Sequence, residues 1–163
     1  MKTNKSMLVL PILLVANLQP IFAQSKQKTK NECEQTVKQL IELKSYCIDV
    51  NLAIPRRSSS LYLTSPYSLK VKNDSVFSWL PYYGRAYTIP YGGGQGLTFK
   101  APIENYKLKY NKKGTAKINF IARSKEDLFR FSLTIYPLGS SSIDVNMQNR
   151  ESISFSGDLK LNK

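Results

Sequence analysis

Histidine is absent from this chain of 163 residues, which removes Ser-His-Asp and Cys-His catalysis and every His-ligated metal site. Cysteine is nearly absent: Cys33 and Cys47 are too few for a four-sulfur zinc site. Acids are scarce, with 11 Asp and Glu against 24 Lys and Arg, a formal net charge of +13. Paired carboxylates for glycoside hydrolysis therefore have few sources. Glu34, Glu42, Asp74, Glu126 and Asp127 fall in helix-surface or turn positions, and Asp49 and Asp144 on outward strand faces, where solvation is the ordinary fate of a charge. The serine runs at 58–60 and 140–142 have no neighbouring base to activate a nucleophile. No catalytic residue, metal or cofactor is expected, and an enzyme would have to work without histidine.

What is present suits one folded domain. Hydrophobic residues make up 42% and aromatics 11%, enough apolar surface to bury a core at this length. Lys2 and Lys5 precede the apolar run 7–16, and Ile21-Phe22-Ala23 then leads into polar Gln24-Ser25-Lys26. A basic front, a short apolar stretch and a small residue at its end read as a secretory signal peptide over 1–23, cleaved after Ala23. The run is too short to span a bilayer, and no cysteine follows closely enough for lipid attachment. The expected mature protein, 24–163, is a single β-rich domain in the periplasm or outside the cell, with no membrane span. Its net charge falls to about +11 once Lys2 and Lys5 are removed. Outside the cytoplasm a basic surface meets envelope glycans, lipid headgroups or other envelope proteins rather than nucleic acid. A solvated surface without a dedicated partner explains the charge equally well.

Val37, Leu40, Ile41 and Lys44 fall at i, i+3, i+4 and i+7, which predicts a helix over 32–44. Cys33 and Lys44 are then roughly 16 Å apart along the axis, whereas a disulfide needs Cα atoms within about 7 Å. Geometry thus opposes a Cys33–Cys47 bond despite the oxidising compartment.

From residue 46 onward the apolar period switches to two. Ile48, Val50, Leu52 and Ile54 alternate with Cys47, Asp49, Asn51 and Ala53. Similar alternation runs over 67–72, 75–80, 97–100, 106–110, 117–122, 129–136, 143–148 and 152–156, with turns at Asn73-Asp74, 111–114, 137–139 and Asn149-Arg150. The fold class expected is mainly β: one strongly curved antiparallel sheet of about eight strands, barrel-like or sandwich-like, with the single N-terminal helix packed against it.

The segment from Trp79 to Gly96 carries the only tryptophan, an arginine and several tyrosines, followed by glycines. Aromatic rings beside a guanidinium can stack on a planar or sugar face and pair an anion. Tyr82, Tyr83, Arg85, Tyr87 and Tyr91 are the candidate ligand-binding residues. The alternative is that these rings fill one end of the sheet and Arg85 satisfies carbonyls. The glycines do not form a phosphate loop, since no Gly-Lys-Ser/Thr follows. A second candidate is a basic face made by Lys107, Lys109, Lys117 and Arg123 across one hairpin, against the plain alternative of a solvated sheet face.

Leu80-Pro81-Tyr82-Tyr83-Gly84-Arg85-Ala86-Tyr87 resembles the hallmark of an exported Bacteroidetes family of uncharacterised proteins, domain of unknown function 4251. Leu63-Thr64-Ser65, Tyr67-Ser68-Leu69, Asp74-Ser75, Lys112-Lys113-Gly114, Asn149-Arg150 and Ile153-Ser154-Phe155-Ser156-Gly157 extend the resemblance over the mature chain. It implies a signal peptide and one small domain, and supplies no activity. Three functions follow, in order: a non-enzymatic envelope binding protein, an interaction or inhibitory partner of another envelope protein, and a histidine-independent enzyme.

Overall fold

The computed structural model describes residues 21–88 and 96–161, with side chains from residue 29 onward. Among these residues a helix, α1 (Ile21–Glu42), precedes eight strands: β1 (Ser45–Pro55), β2 (Leu61–Lys72), β3 (Ser75–Leu80), β4 (Leu97–Tyr110), β5 (Ala116–Arg123), β6 (Leu128–Ile135), β7 (Ser140–Met147) and β8 (Ile153–Leu159). Every strand pairs antiparallel with its neighbour in sequence, and β8 returns to pair with β1, closing a barrel. Closure removes the sheet edges that an open meander leaves exposed.

The barrel is filled rather than hollow. Phe129, Phe131, Phe155, Ile48, Leu69, Ile118, Leu133 and Ile143 are fully buried inside it. Phe99 stacks on Phe129 with ring centroids 4.3 Å apart, and Phe120 on Phe131 at 4.9 Å. Outward positions carry Lys117, Asn119, Arg130 and Asn146. This apolar-in, polar-out wall reverses the arrangement of an outer-membrane barrel. Among the described residues no helix is long and apolar enough to cross a membrane.

Two bulges adjust the alternation. In β1 the register shifts between Val50 and Leu52. Tyr46, Ile48 and Val50 point inward before it, and Ala53 does so after it, so Ile54 turns outward at 37% exposure. Strict alternation, which put Leu52 and Ile54 inside and Ala53 outside, fails here because one extra residue reverses the parity. In β4 the shift falls between Glu104 and Lys107, with Asn105 at φ 55°. The two stretches that read as separate strands, 97–100 and 106–110, are one strand whose inward parity changes at that residue. β2 also begins earlier than its alternation suggests, at Leu61, and β8 runs through Gly157 to Leu159.

The helix is longer toward its start than its apolar spacing indicates, and ends at Glu42 rather than 44. Residues 29–32 are exposed and polar, so no periodic face marks them. Lys44 adopts φ 47° and ends the helix in the left-handed region, its amide bonded to the Ile41 carbonyl at 3.0 Å. Val37 and Ile41 are buried against the barrel. The helix lies over the end that carries the turns at 111–115 and 136–139: it shares a cleft with Tyr110, Lys113 and Pro137 there. Both thiols are free, and Cys33 Sγ sits 4.0 Å from the Leu138 carbonyl.

Near the helix end of β1, Tyr46 and Tyr106 place their hydroxyls 3.4 Å apart. Burial pushes both phenols above their ordinary pKa near 10, and for Tyr46 the neighbouring Tyr106 adds to the effect. A folded-state pKa above the unfolded value means the native state holds the protons more tightly. That stability is intact below about pH 10 and is lost as pH rises further. Denaturant melts at pH 8 and pH 11 should show a lower midpoint at pH 11, and Tyr46→Phe should shrink the difference. An unchanged difference would contradict this assignment.

Candidate functional site

Opposite the helix, residues 56–60, 81–88, 124–127 and 148–152 form the other mouth of the barrel. Asp127 is the hub of their framework. Its buried carboxylate accepts from the amides of Leu128 at 2.7 Å, Gln148 at 3.0 Å and Asn149 at 3.2 Å. Asn149 in turn accepts from the Tyr87 amide at 2.8 Å, and Ala86 bridges to Arg150. Arg150 is buried, pairs with Glu126 at 2.8 Å and lies over the Tyr82 ring at 5.8 Å.

These contacts pin the chain around Arg85. The Tyr82 hydroxyl lies within hydrogen-bond distance of two carbonyl oxygens, Arg85 at 2.9 Å and Glu151 at 3.0 Å. The Glu151 amide donates to the Arg85 carbonyl at 2.9 Å. Gly84 is required beside this strut, because a Cβ there would stand 2.5 Å from the Tyr82 hydroxyl and 2.8 Å from Cζ. Burial raises the Tyr82 pKa, which keeps the phenol protonated as a donor.

Next to this pinned segment is an open cleft of about 390 Å³, lined by Arg57, Ser58, Leu61, Tyr83, Arg85 and Glu151 among others. The Glu151 side chain is 5% exposed and meets Arg57 Nε at 2.7 Å, while Arg57 itself remains 65% exposed. The Arg85 amide lies 3.5 Å from Glu151 Oε2. No ion pair among the described residues engages the Arg85 guanidinium.

The five tyrosine and arginine candidates thus divide. Tyr83 (39% exposed) and Arg85 line the cleft. Tyr82 stands behind it as a strut, and Tyr87 is exposed but is not among the lining residues. Tyr91 lies outside the described residues. Arg57, Leu61 and Glu151 were not legible as members of the site: the first two flank the loop between β1 and β2, and the third lies far along the chain before β8. The basic face also divides. Lys109 and Lys117 are register partners on the outer wall, with Lys107 two positions along the same strand. Arg123 pairs with Leu128 at the far end of β5, roughly 20 Å from Lys117 at about 3.4 Å per residue. Among the described residues no group of three or more His, Cys, Asp or Glu is placed to hold a metal ion.

The architecture defines a class: a filled, closed eight-stranded antiparallel barrel with a helix at one end and a polar mouth at the other. Residues 28–159 match the family described as Domain of unknown function (DUF4251), and the chain belongs to that family. The fold is similar to the crystal structure of a DUF4251 family protein from Bacteroides eggerthii DSM 20697, with a TM-score of 0.63 and 16% identity, covering 82% of this chain and 90% of that one. No functionally curated protein matches the chain.

Proposed function

We propose that the protein is exported after loss of residues 1–23 and serves in the cell envelope as a non-catalytic binding domain, 24–163, using the cleft around Tyr83 and Arg85. Export is supported by the basic, apolar and small-residue pattern at the start of the chain. The family match, which begins at residue 28, lies wholly beyond the cleavage position.

The observation that carries the binding reading is the state of the cleft's charges. Its acid is already neutralised by Arg57, whereas the guanidinium of Arg85 stands unpaired among the described residues beside an exposed ring. A concave surface with a few convergent polar groups on an immobilised backbone is what a ligand site requires. The interior is packed with side chains and leaves no room for a ligand there.

A glycan array probed with wild type and with Tyr83→Ala/Arg85→Met tests this. Wild type should retain ligands that the folded variant binds at least tenfold more weakly. Equal binding by both would refute the assignment. The exposed Leu61 and Tyr62 beside the cleft favour a second reading, an interface with another envelope protein. A stoichiometric protein captured from envelope extract, with an empty glycan array, selects it.

A further inference from the structure

We infer that the ligand of this cleft is a sugar bearing a carboxylate, an inference that rests on the binding reading above. Three features of the cleft point to that chemistry. The first is net charge. Among the described residues Arg57 and Arg85 line the cleft with one acid, Glu151, and that acid is committed to Arg57. One positive charge is left over, and it belongs to a planar fork whose geometry matches a carboxylate.

The second is the fixed acid in the floor. Glu151 is 5% exposed and held by the Arg57 side chain and close to the Arg85 amide, so it does not move away from an incoming anion. Paired with Arg57 it adds no net repulsion, and one carboxylate on Arg85 balances the single positive charge that remains.

The third is the wall. Tyr83 and Leu61 present an aromatic ring and an apolar side chain, while Ser58 and the Tyr83 hydroxyl can bond to ligand hydroxyls. A sugar ring offers both partners: an apolar C–H face and a rim of hydroxyls. The Arg85 backbone is already fixed by the Tyr82 hydroxyl and the Glu151 amide, which reduces the ordering cost of engaging its side chain. The cleft volume of about 390 Å³ lies in the range of small-ligand sites, about 300–1,000 Å³.

The test is an amide NMR titration of the purified protein with oligogalacturonate, its methyl ester, sialyllactose, lactose and inorganic phosphate. At least one of the two carboxylated sugars should shift residues 83–85, Arg57 and Glu151, and its neutral counterpart should bind at least tenfold more weakly. Arg85→Met should remove the preference for the acid, and Arg85→Lys should keep part of it. Methyl ester or lactose binding as tightly as its acid at the same residues overturns the carboxylate inference while leaving the binding site in place. Phosphate displacing the sugars also overturns it. No shift at the cleft with any sugar overturns the inference; if the glycan array is also unchanged by the double variant, the binding reading falls with it.

Discussion

Gly157→Ala should destabilise the barrel by about 3 kcal/mol, toward the upper end of overpacking costs. Gly157 sits where β8 passes the β1 bulge, opposite Val50. A Cβ there would collide with the Asp49 carbonyl oxygen and stand 2.9 Å from both the Asp49 carbonyl carbon and Val50 Cα. The obstructing atoms are backbone, so no side-chain rotation relieves the contact. β1 must withdraw from β8, and the closing seam of the barrel weakens. Denaturant unfolding measures this directly. A change within 0.5 kcal/mol, the scale of an ordinary surface substitution, would mean that the two strands do not approach as described.

Asp127→Ala should cost about as much, roughly 3 kcal/mol, for a different reason. One carboxylate holds three amides, those of Leu128, Gln148 and Asn149. Its removal leaves three donors without their acceptor, each worth about 1 kcal/mol or more when the acceptor is charged. The damage also propagates to the site, because Asn149 accepts from the Tyr87 amide. Hydrogen exchange at Tyr87 should accelerate in the variant while amides in β6 away from the turn stay protected. Asp127→Asn, which keeps one acceptor oxygen, should lose less. Equal stability of the alanine variant and wild type would remove Asp127 from the framework.

Much of the barrel wall is legible in the alternation of apolar and polar residues. β3 spans Ser75–Leu80 as its alternation and the Asn73-Asp74 turn indicated, and β6 buries Phe129, Phe131, Leu133 and Ile135 on the expected face. The sequence pattern failed where a bulge reversed parity. In β1 four alternating aliphatics ran across the irregularity without a break, so the flip at Asn51 left no local mark; its signal lay a hundred residues away in Gly157, a glycine inside a strand. In β4 the reversal was visible as a change from odd to even apolar positions, but a gap between strands explains that pattern as readily. Barrel closure likewise depends on β1 meeting β8, which no local spacing encodes.

The site was legible only in part for the same reason. Tyr83 and Arg85 stand in a conspicuous aromatic run, and the cleft contains both. Arg57 and Glu151 come from loops that meet only when the barrel closes. No pattern singles out Glu151, whose main chain is held by Tyr82 and Arg85 while its side chain is buried beside Arg57. Tyr82 illustrates the converse. A residue chosen as a ligand contact supports the loop, because its hydroxyl reaches the main-chain carbonyls of Arg85 and Glu151.

On the proposed function the mouth of the barrel, not its filled interior or its basic wall, takes the ligand. Amide shift mapping with an array-identified glycan tests it most directly. Perturbations confined to residues 57–61, 83–87 and 150–151, and abolished by Tyr83→Ala/Arg85→Met, are the predicted result. Perturbations centred on Lys107, Lys109 and Lys117, undiminished in that variant, would contradict it.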